Sequence, residues 1–176
     1  MNLVLIGYRG TGKSAVGELL AERLGMRYVS MDREITLKAK MSIPEIVEKY
    51  GWKTFRDQES ELANELSSQD GLVIDTGGGV IERQENVEAL QVNSQIFWLH
   101  ASVNTITSRI QGDSSRPALT SGKTFVEEVA EVLAKREPLY KAAAHHEIDT
   151  NYASPGEIAD TIITLWTHAK QGLTAE

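Results

Sequence analysis

Leu3-Val4-Leu5-Ile6-Gly7-Tyr8-Arg9-Gly10-Thr11-Gly12-Lys13-Ser14 sets the architecture of the chain. Four apolar residues make a strand. The spacing G-x-x-x-x-G-K-S then puts glycines where the backbone must turn tightly and come close to a polyphosphate, just before a helical pattern that starts at Ala15. In such a strand, loop and helix, the amides of Gly10, Thr11, Gly12, Lys13, Ser14 and Ala15 are expected to face phosphate oxygens, with the helix N-terminus adding positive potential. Lys13 is expected to reach the β- and γ-phosphates, and the Ser14 hydroxyl to be one ligand of Mg²⁺.

Outward from that stretch, strand-like apolar runs alternate with amphipathic helical stretches. That alternation predicts a parallel sheet with helices on both faces. Residues 15–24 form a helix ended by Gly25, 27–31 a short strand leading to Asp32, and 33–40 a second helix. Ser42-Ile43-Pro44-Glu45 is a cap followed by a first-turn proline, opening a helix to Tyr50 that Gly51 closes, and 52–67 is helical again. This connection between the second and third strands is far longer than a crossover requires, so it is expected to carry function. Leu72-Val73-Ile74-Asp75 is the third strand and runs into Thr76-Gly77-Gly78-Gly79, where something must approach the backbone closely. Further on come a helix over 83–90, a strand over 95–99 and a helix over 103–110. Residues 111–122 are predicted to be a mobile loop, 125–144 a helix interrupted at Pro138, 147–149 a last strand, and 155–169 a final helix.

With 176 residues and 41% hydrophobic content, one domain with a sizeable core is expected over 1–176. The 18 basic and 25 acidic residues give a net charge of -7, which disfavours nucleic acid or an anionic membrane as partner, so an anionic ligand has to be held by a local group of arginines. The absence of cysteine excludes disulfides and thiolate metal sites. The apolar runs are of strand length and no secretion signal is evident, so a cytoplasmic protein is expected.

Five further motifs follow the phosphate loop in order. They are Ser30-Met31-Asp32, Phe55-Arg56-Asp57-Gln58-Glu59, Thr76-Gly77-Gly78-Gly79, Arg116-Pro117 and Arg136-Glu137-Pro138-Leu139-Tyr140. With them the sequence resembles the shikimate kinases, small P-loop kinases of the nucleoside monophosphate kinase type, over nearly its whole length. The resemblance implies a three-layer α/β P-loop fold with a five-stranded parallel sheet, a helical substrate-binding insertion over about 32–67 and a mobile lid over about 111–122. It also implies ATP and Mg²⁺ as cofactors, shikimate as the small-molecule partner, and transfer of the γ-phosphoryl group to the shikimate 3-hydroxyl.

An acceptor that carries a carboxylate and hydroxyls needs cationic forks for the first and an acid to orient one of the second. Arginine suits the former task because its planar donors meet a carboxylate bidentately. Arg56 and Arg136 are the candidates, and the resemblance places both, with the backbone of Gly78, in the shikimate pocket. Glu59, three residues after Arg56 on one helix, is expected to hold that guanidinium, and Phe55 to be core. Asp32, just past a strand end, is expected to orient the attacking hydroxyl as a possible base and also to suit a helix cap. Arg116 in the lid is expected to neutralise charge on the transferring group as the loop closes. Arg109 resembles the family residue that stacks on adenine. Lys13, Asp32 and Arg116 are thus the catalytic candidates.

Two departures from the family pattern stand out. Many members carry D-x-D where this chain has Ser30-Met31-Asp32, and Asp75 at the end of the third strand is expected to take over the outer-shell Mg²⁺ contact. Around Asn151-Tyr152-Ala153 members often place a basic side chain near adenine, which Ala153 cannot supply. His145 and His146, adjacent and heading into a strand, are expected to point apart and share no metal. His100 and the tryptophans are read as packing or surface residues, and Arg9 as solvated. A same-fold kinase of gluconate or a nucleoside monophosphate, or a nucleotide-binding regulator without catalysis, are the alternatives. A monomer is the default expectation.

Overall fold

The computed structural model describes residues 1–111 and 124–173, the side chain of Leu173 excepted. Arg116 and all but the first residue of the expected lid therefore lie outside the described residues. The chain runs β1 (Asn2–Ile6), α1 (Lys13–Leu24), β2 (Arg27–Ser30), α2 (Met31–Ala39), α3 (Ile43–Ser67), β3 (Leu72–Asp75) and a short 3₁₀ turn (Val80–Glu82). It continues with α4 (Gln84–Gln91), β4 (Ser94–His100), α5 (Val103–Ile110), α6 (Phe125–Ala143), β5 (His146–Asp149) and α7 (Pro155–Leu173).

All strand pairs are parallel and the order is β2-β3-β1-β4-β5. β1 is buried at every position because it lies at the centre with both faces covered, which is why it reads as an unbroken apolar run. Val4, Ile6, Ile74 and Ile96 face a core shared with Phe55, Leu62 and Leu66 of α3 and with Tyr140 of α6. Leu3, Leu5, Val73 and Phe97 face the opposite core, shared with Val16 and Leu20 of α1 and with Ile158 and Ile162 of α7. The three layers follow from this alternation of side chains along each strand.

Two features differ from the sequence expectation and a third agrees with it. α2 begins at Met31, two residues early, because the Ser30 side chain accepts from Arg33 N and serves as its N-cap. Asp32 is therefore inside the first turn and is not the cap. α6 passes through Pro138 without the expected interruption. The proline removes one backbone donor, but Leu133, Arg136 and Tyr140 are buried on either side of it, and their packing holds the helix together. The expected break at Gly51 is present: φ 83°, ψ 164° is a left-handed-side conformation that a β-carbon disfavours, and it divides α3 into two helical parts. Ser42 and Glu45 form a reciprocal capping box at its start.

Candidate active site

Ligands of open parallel sheets bind beyond the carboxyl ends of the strands, and the chemistry-bearing residues of this chain converge there. After β1 the loop passes through Gly10 (φ 80°) and Gly12 (φ 95°), and Gly12 is the N-cap of α1. No side chain caps this helix and no acid lies in its first turn, so its amides and dipole are left to an anion. Thr11 is buried, with its hydroxyl donating to Tyr8 O at 2.8 Å. Lys13, 8% exposed, donates from Nζ to Gly7 O at 2.9 Å and to Tyr8 O at 3.1 Å, which holds its ammonium over the loop. Arg109 at the end of α5 donates to Gly10 O at 3.2 Å and to Thr150 O at 2.6 Å, tying α5 and the segment after β5 to the same loop. Arg9 lies with its guanidinium carbon 5.8 Å from the centre of the Phe125 ring, a contact that the expectation of a solvated residue did not include.

The loop residues Gly10, Gly12, Lys13, Ser14 and Ala15 line one wall of a cavity of about 320 Å³. Asp32, Asp75 and Gly78 line the other. Across it, Ser14 Oγ donates to Asp75 Oδ2 at 2.7 Å, and Tyr28 Oη donates to the same oxygen at 2.8 Å. Burial, and then the adjacent Asp75 charge, push the Tyr28 hydroxyl well above the ordinary tyrosine value, so it stays a donor. Asp75 is 5% exposed, and its strand partner in register is Ser30 of β2. The carboxylate at this edge of the cavity thus sits one strand away from position 30.

A second cavity, of about 330 Å³, is lined by Trp52, Lys53, Arg56, Glu82, Lys135 and Arg136, with Val132. Gly78, on the wall of the first cavity, lies close to Arg136 of the second: a β-carbon there would come within 3.6 Å of Arg136 Nη1. Arg56 pairs with Glu59 one helical turn on, as their spacing implied, and its guanidinium carbon lies 5.4 Å from the centre of the Trp52 ring. Trp52 is therefore part of the pocket wall, a role that neither its spacing nor its neighbours in sequence revealed. Burial draws Arg136 down, but the neighbouring Tyr140 and Glu82 more than offset this and hold it above the ordinary arginine value. Tyr140 in turn donates to Gly78 O. Sequence reasoning also missed Glu82, whose carboxylate reaches both arginines. No signal in the sequence links position 82 to 56 or 136.

The glycine run is explained by these same side chains. A β-carbon at Gly77 would lie 2.4 Å from Glu59 Oε1 and 3.0 Å from Asp32 Oδ1, and one at Gly79 would lie 2.1 Å from Arg56 Nη2. Gly79→Ala is accordingly expected to fold, since the tip of an arginine can yield, but to lose about 1–3 kcal/mol and to weaken acceptor binding. Thermal melts and an acceptor titration check this; an alanine protein that melts and binds like the original would remove Arg56 from this position. Of the two adjacent histidines, His145 Nδ1 accepts from Ile96 N at 2.9 Å and His146 stacks on Phe97.

A phosphate loop at the centre of a parallel sheet, with a cationic cavity nearby walled by a helical insertion, defines a P-loop kinase of small molecules. The family model for shikimate kinase matches residues 9–167. The chain belongs to the shikimate kinase family. It is 40% identical over 173 residues to the shikimate kinase of Thermodesulfovibrio yellowstonii, covering 98% of this chain and 99% of that protein. It is 39% identical over 154 residues to that of Pseudomonas savastanoi pv. phaseolicola, covering 88% and 89%. Among solved structures, the shikimate kinase from Acinetobacter baumannii in complex with shikimate superposes with a TM-score of 0.91 at 36% identity, over 96% of this chain and 94% of that one.

Proposed function

We propose that this chain transfers the γ-phosphoryl group of MgATP to the 3-hydroxyl of shikimate, giving shikimate 3-phosphate and ADP, with the acceptor's carboxylate held between Arg56 and Arg136. One observation carries the assignment of the clamp: both arginines already converge on a carboxylate, that of Glu82, and Arg136 lies next to Gly78 on the wall of the phosphate cavity. Family membership favours neither gluconate nor a nucleoside monophosphate as acceptor, nor a non-catalytic regulator.

The roles follow from position. Amides from Gly10 to Ala15 hold the phosphates, and Lys13 places its charge against the transferring group. Asp32, at the rim of the phosphate cavity, orients the attacking hydroxyl and is placed to take its proton. Gly78 contributes backbone contact where acceptor and phosphate meet, Arg109 flanks the loop on the adenine side, and Arg116 is assigned by motif order to neutralise charge on the transferring group. α2 and α3 form the acceptor-binding region.

The residues around Ser14 fit Mg²⁺. Among the described residues no group of three or more His, Asp or Glu side chains is placed to hold a metal, so an all-protein cage is not offered. One hydroxyl and one buried carboxylate fit a hard cation that keeps several waters and takes its other oxygens from phosphates. When bound there, Mg²⁺ would offset the negative charge of the phosphates. Ser14 would supply the direct oxygen and Asp75 an outer-shell one, with Tyr28 orienting Asp75. Asp75→Asn is expected to raise, by roughly 10–100-fold, the Mg²⁺ concentration needed for tight nucleotide binding, while shikimate binding stays near its original affinity. Calorimetric nucleotide titrations across a Mg²⁺ series check this, and an unaltered Mg²⁺ dependence would refute it. Measuring ADP release with shikimate, gluconate and CMP in parallel tests the function itself; turnover with gluconate or CMP but not shikimate would overturn it.

A further inference from the structure

The two arginines assigned to the acceptor's carboxylate are occupied by one of the chain's own. Arg136 Nε donates to Glu82 Oε1 at 2.9 Å and Nη2 lies 2.8 Å from the same oxygen, while Arg56 Nε stands 3.4 Å from Oε2. We propose that Glu82 is an internal stand-in for the acceptor's carboxylate, filling the Arg56–Arg136 clamp in the free protein and swinging out when shikimate binds. This rests on the clamp assignment made above.

A count of charges favours displacement, since Lys53 and Lys135, which also line the cavity, already pair with Asp57 and Glu131. Two guanidinium groups, with side chains 12% and 7% exposed, face two carboxylates, Glu59 and Glu82. A buried guanidinium without a counter-charge is costly, so the free protein needs both acids. A third carboxylate arriving with the acceptor would leave the cluster net negative in a poorly solvated place, so one acid has to go. Glu59 cannot leave. Its side chain is 0% exposed and it packs against Gly77, where there is no room for even a β-carbon.

Glu82 can leave. Its side chain is 40% exposed, and it ends the 3₁₀ turn at the rim of the acceptor cavity, so rotation about its own side-chain bonds takes the carboxylate into water. The arrangement also confers selectivity. A simple anion offers the arginines no more than Glu82 does, whereas an acceptor that adds hydroxyl contacts to its carboxylate can win the exchange.

Glu82→Gln keeps the side chain's length and removes its charge. Shikimate and its methyl ester, the latter lacking the charge, are titrated calorimetrically into the original protein, Glu82→Gln and Arg136→Lys at one ionic strength, and each free protein is melted. Glu82→Gln is expected to bind shikimate roughly fivefold more tightly, the size of one partly exposed ion pair, and to leave the ester behind. The free Glu82→Gln protein is expected to melt lower, because Arg136 has lost its counter-charge. Tighter binding with a lower melting point is a pairing that a purely structural role for Glu82 does not produce.

Equal or weaker shikimate binding by Glu82→Gln, with Arg136→Lys weakened, overturns the stand-in and leaves the clamp in place. Equal tightening for ester and acid also overturns it, since charge would not be the cause. Shikimate binding that Arg136→Lys leaves intact overturns the clamp itself. If Glu82→Gln does not fold, Glu82→Asp, too short to reach both arginines, is expected to tighten shikimate binding to a smaller degree, and no tightening there counts equally against the proposal.

Discussion

Lys13→Met protein is expected to fold normally and to phosphorylate shikimate roughly 10²–10³-fold more slowly than the unmodified chain. Phosphoryl transfer offers the protein little covalent work, so rate comes from positioning and from charge placed against the oxygens of the transferring group. The Lys13 ammonium is held over the loop by the carbonyls of Gly7 and Tyr8, where that charge is needed. Methionine matches the stem in length and has no charge. Methionine also gives up the two buried hydrogen bonds to Gly7 O and Tyr8 O, so a fall in stability of about 1–3 kcal/mol is expected beside the loss of rate. Steady-state ADP release and a thermal melt separate the two effects. Turnover at the original rate would sink the phosphate-loop assignment and the kinase reading with it.

The second large effect is expected at Arg56. Arg56→Ala takes a cation away from Glu59, which has no exposed side-chain surface, and leaving a buried carboxylate without that partner should cost about 3–5 kcal/mol of stability. For a chain of this size that is a fall in melting temperature of roughly 10 °C or more. Shikimate affinity should also fall, by roughly 30-fold or more, since half of the clamp is gone. The two losses can be separated. Arg56→Met combined with Glu59→Leu removes both charges and is expected to recover much of the stability, while shikimate binding stays weak. If the double variant bound shikimate as well as the original chain, Arg56 would have only a structural role, and the acceptor site would have to lie elsewhere.

Much of the site was legible because it is local. The phosphate loop is eight consecutive residues, and its glycines, lysine and serine stand at fixed spacing along one backbone. Arg56 and Glu59 were readable as a pair because a helix brings residues three apart together. The stop at Gly51 followed from the need for a positive φ. Asp32 was placed at a strand end, but its relation to the helix was misjudged by two residues, because Ser30 and Asp32 are both good caps and only the geometry selects between them. The interruption expected at Pro138 failed for a related reason: local preference predicted it, and packing of Arg136 and Tyr140 against the glycine run overrode it.

By itself the sequence determined the layered parallel sheet, the phosphate loop and the order of the family motifs, since these depend on periodicity and on backbone chemistry within short windows. Only the tertiary structure decided which distant groups meet. It set Asp75 against Ser14 and in register with Ser30, packed Gly77 and Gly79 against Glu59 and Arg56, and brought Glu82 onto two arginines 26 and 54 residues away in the chain. The physical reason is that contact between charges depends on separation in space. That separation is fixed by how the sheet orders its strands and how α3 and α6 close over its edge.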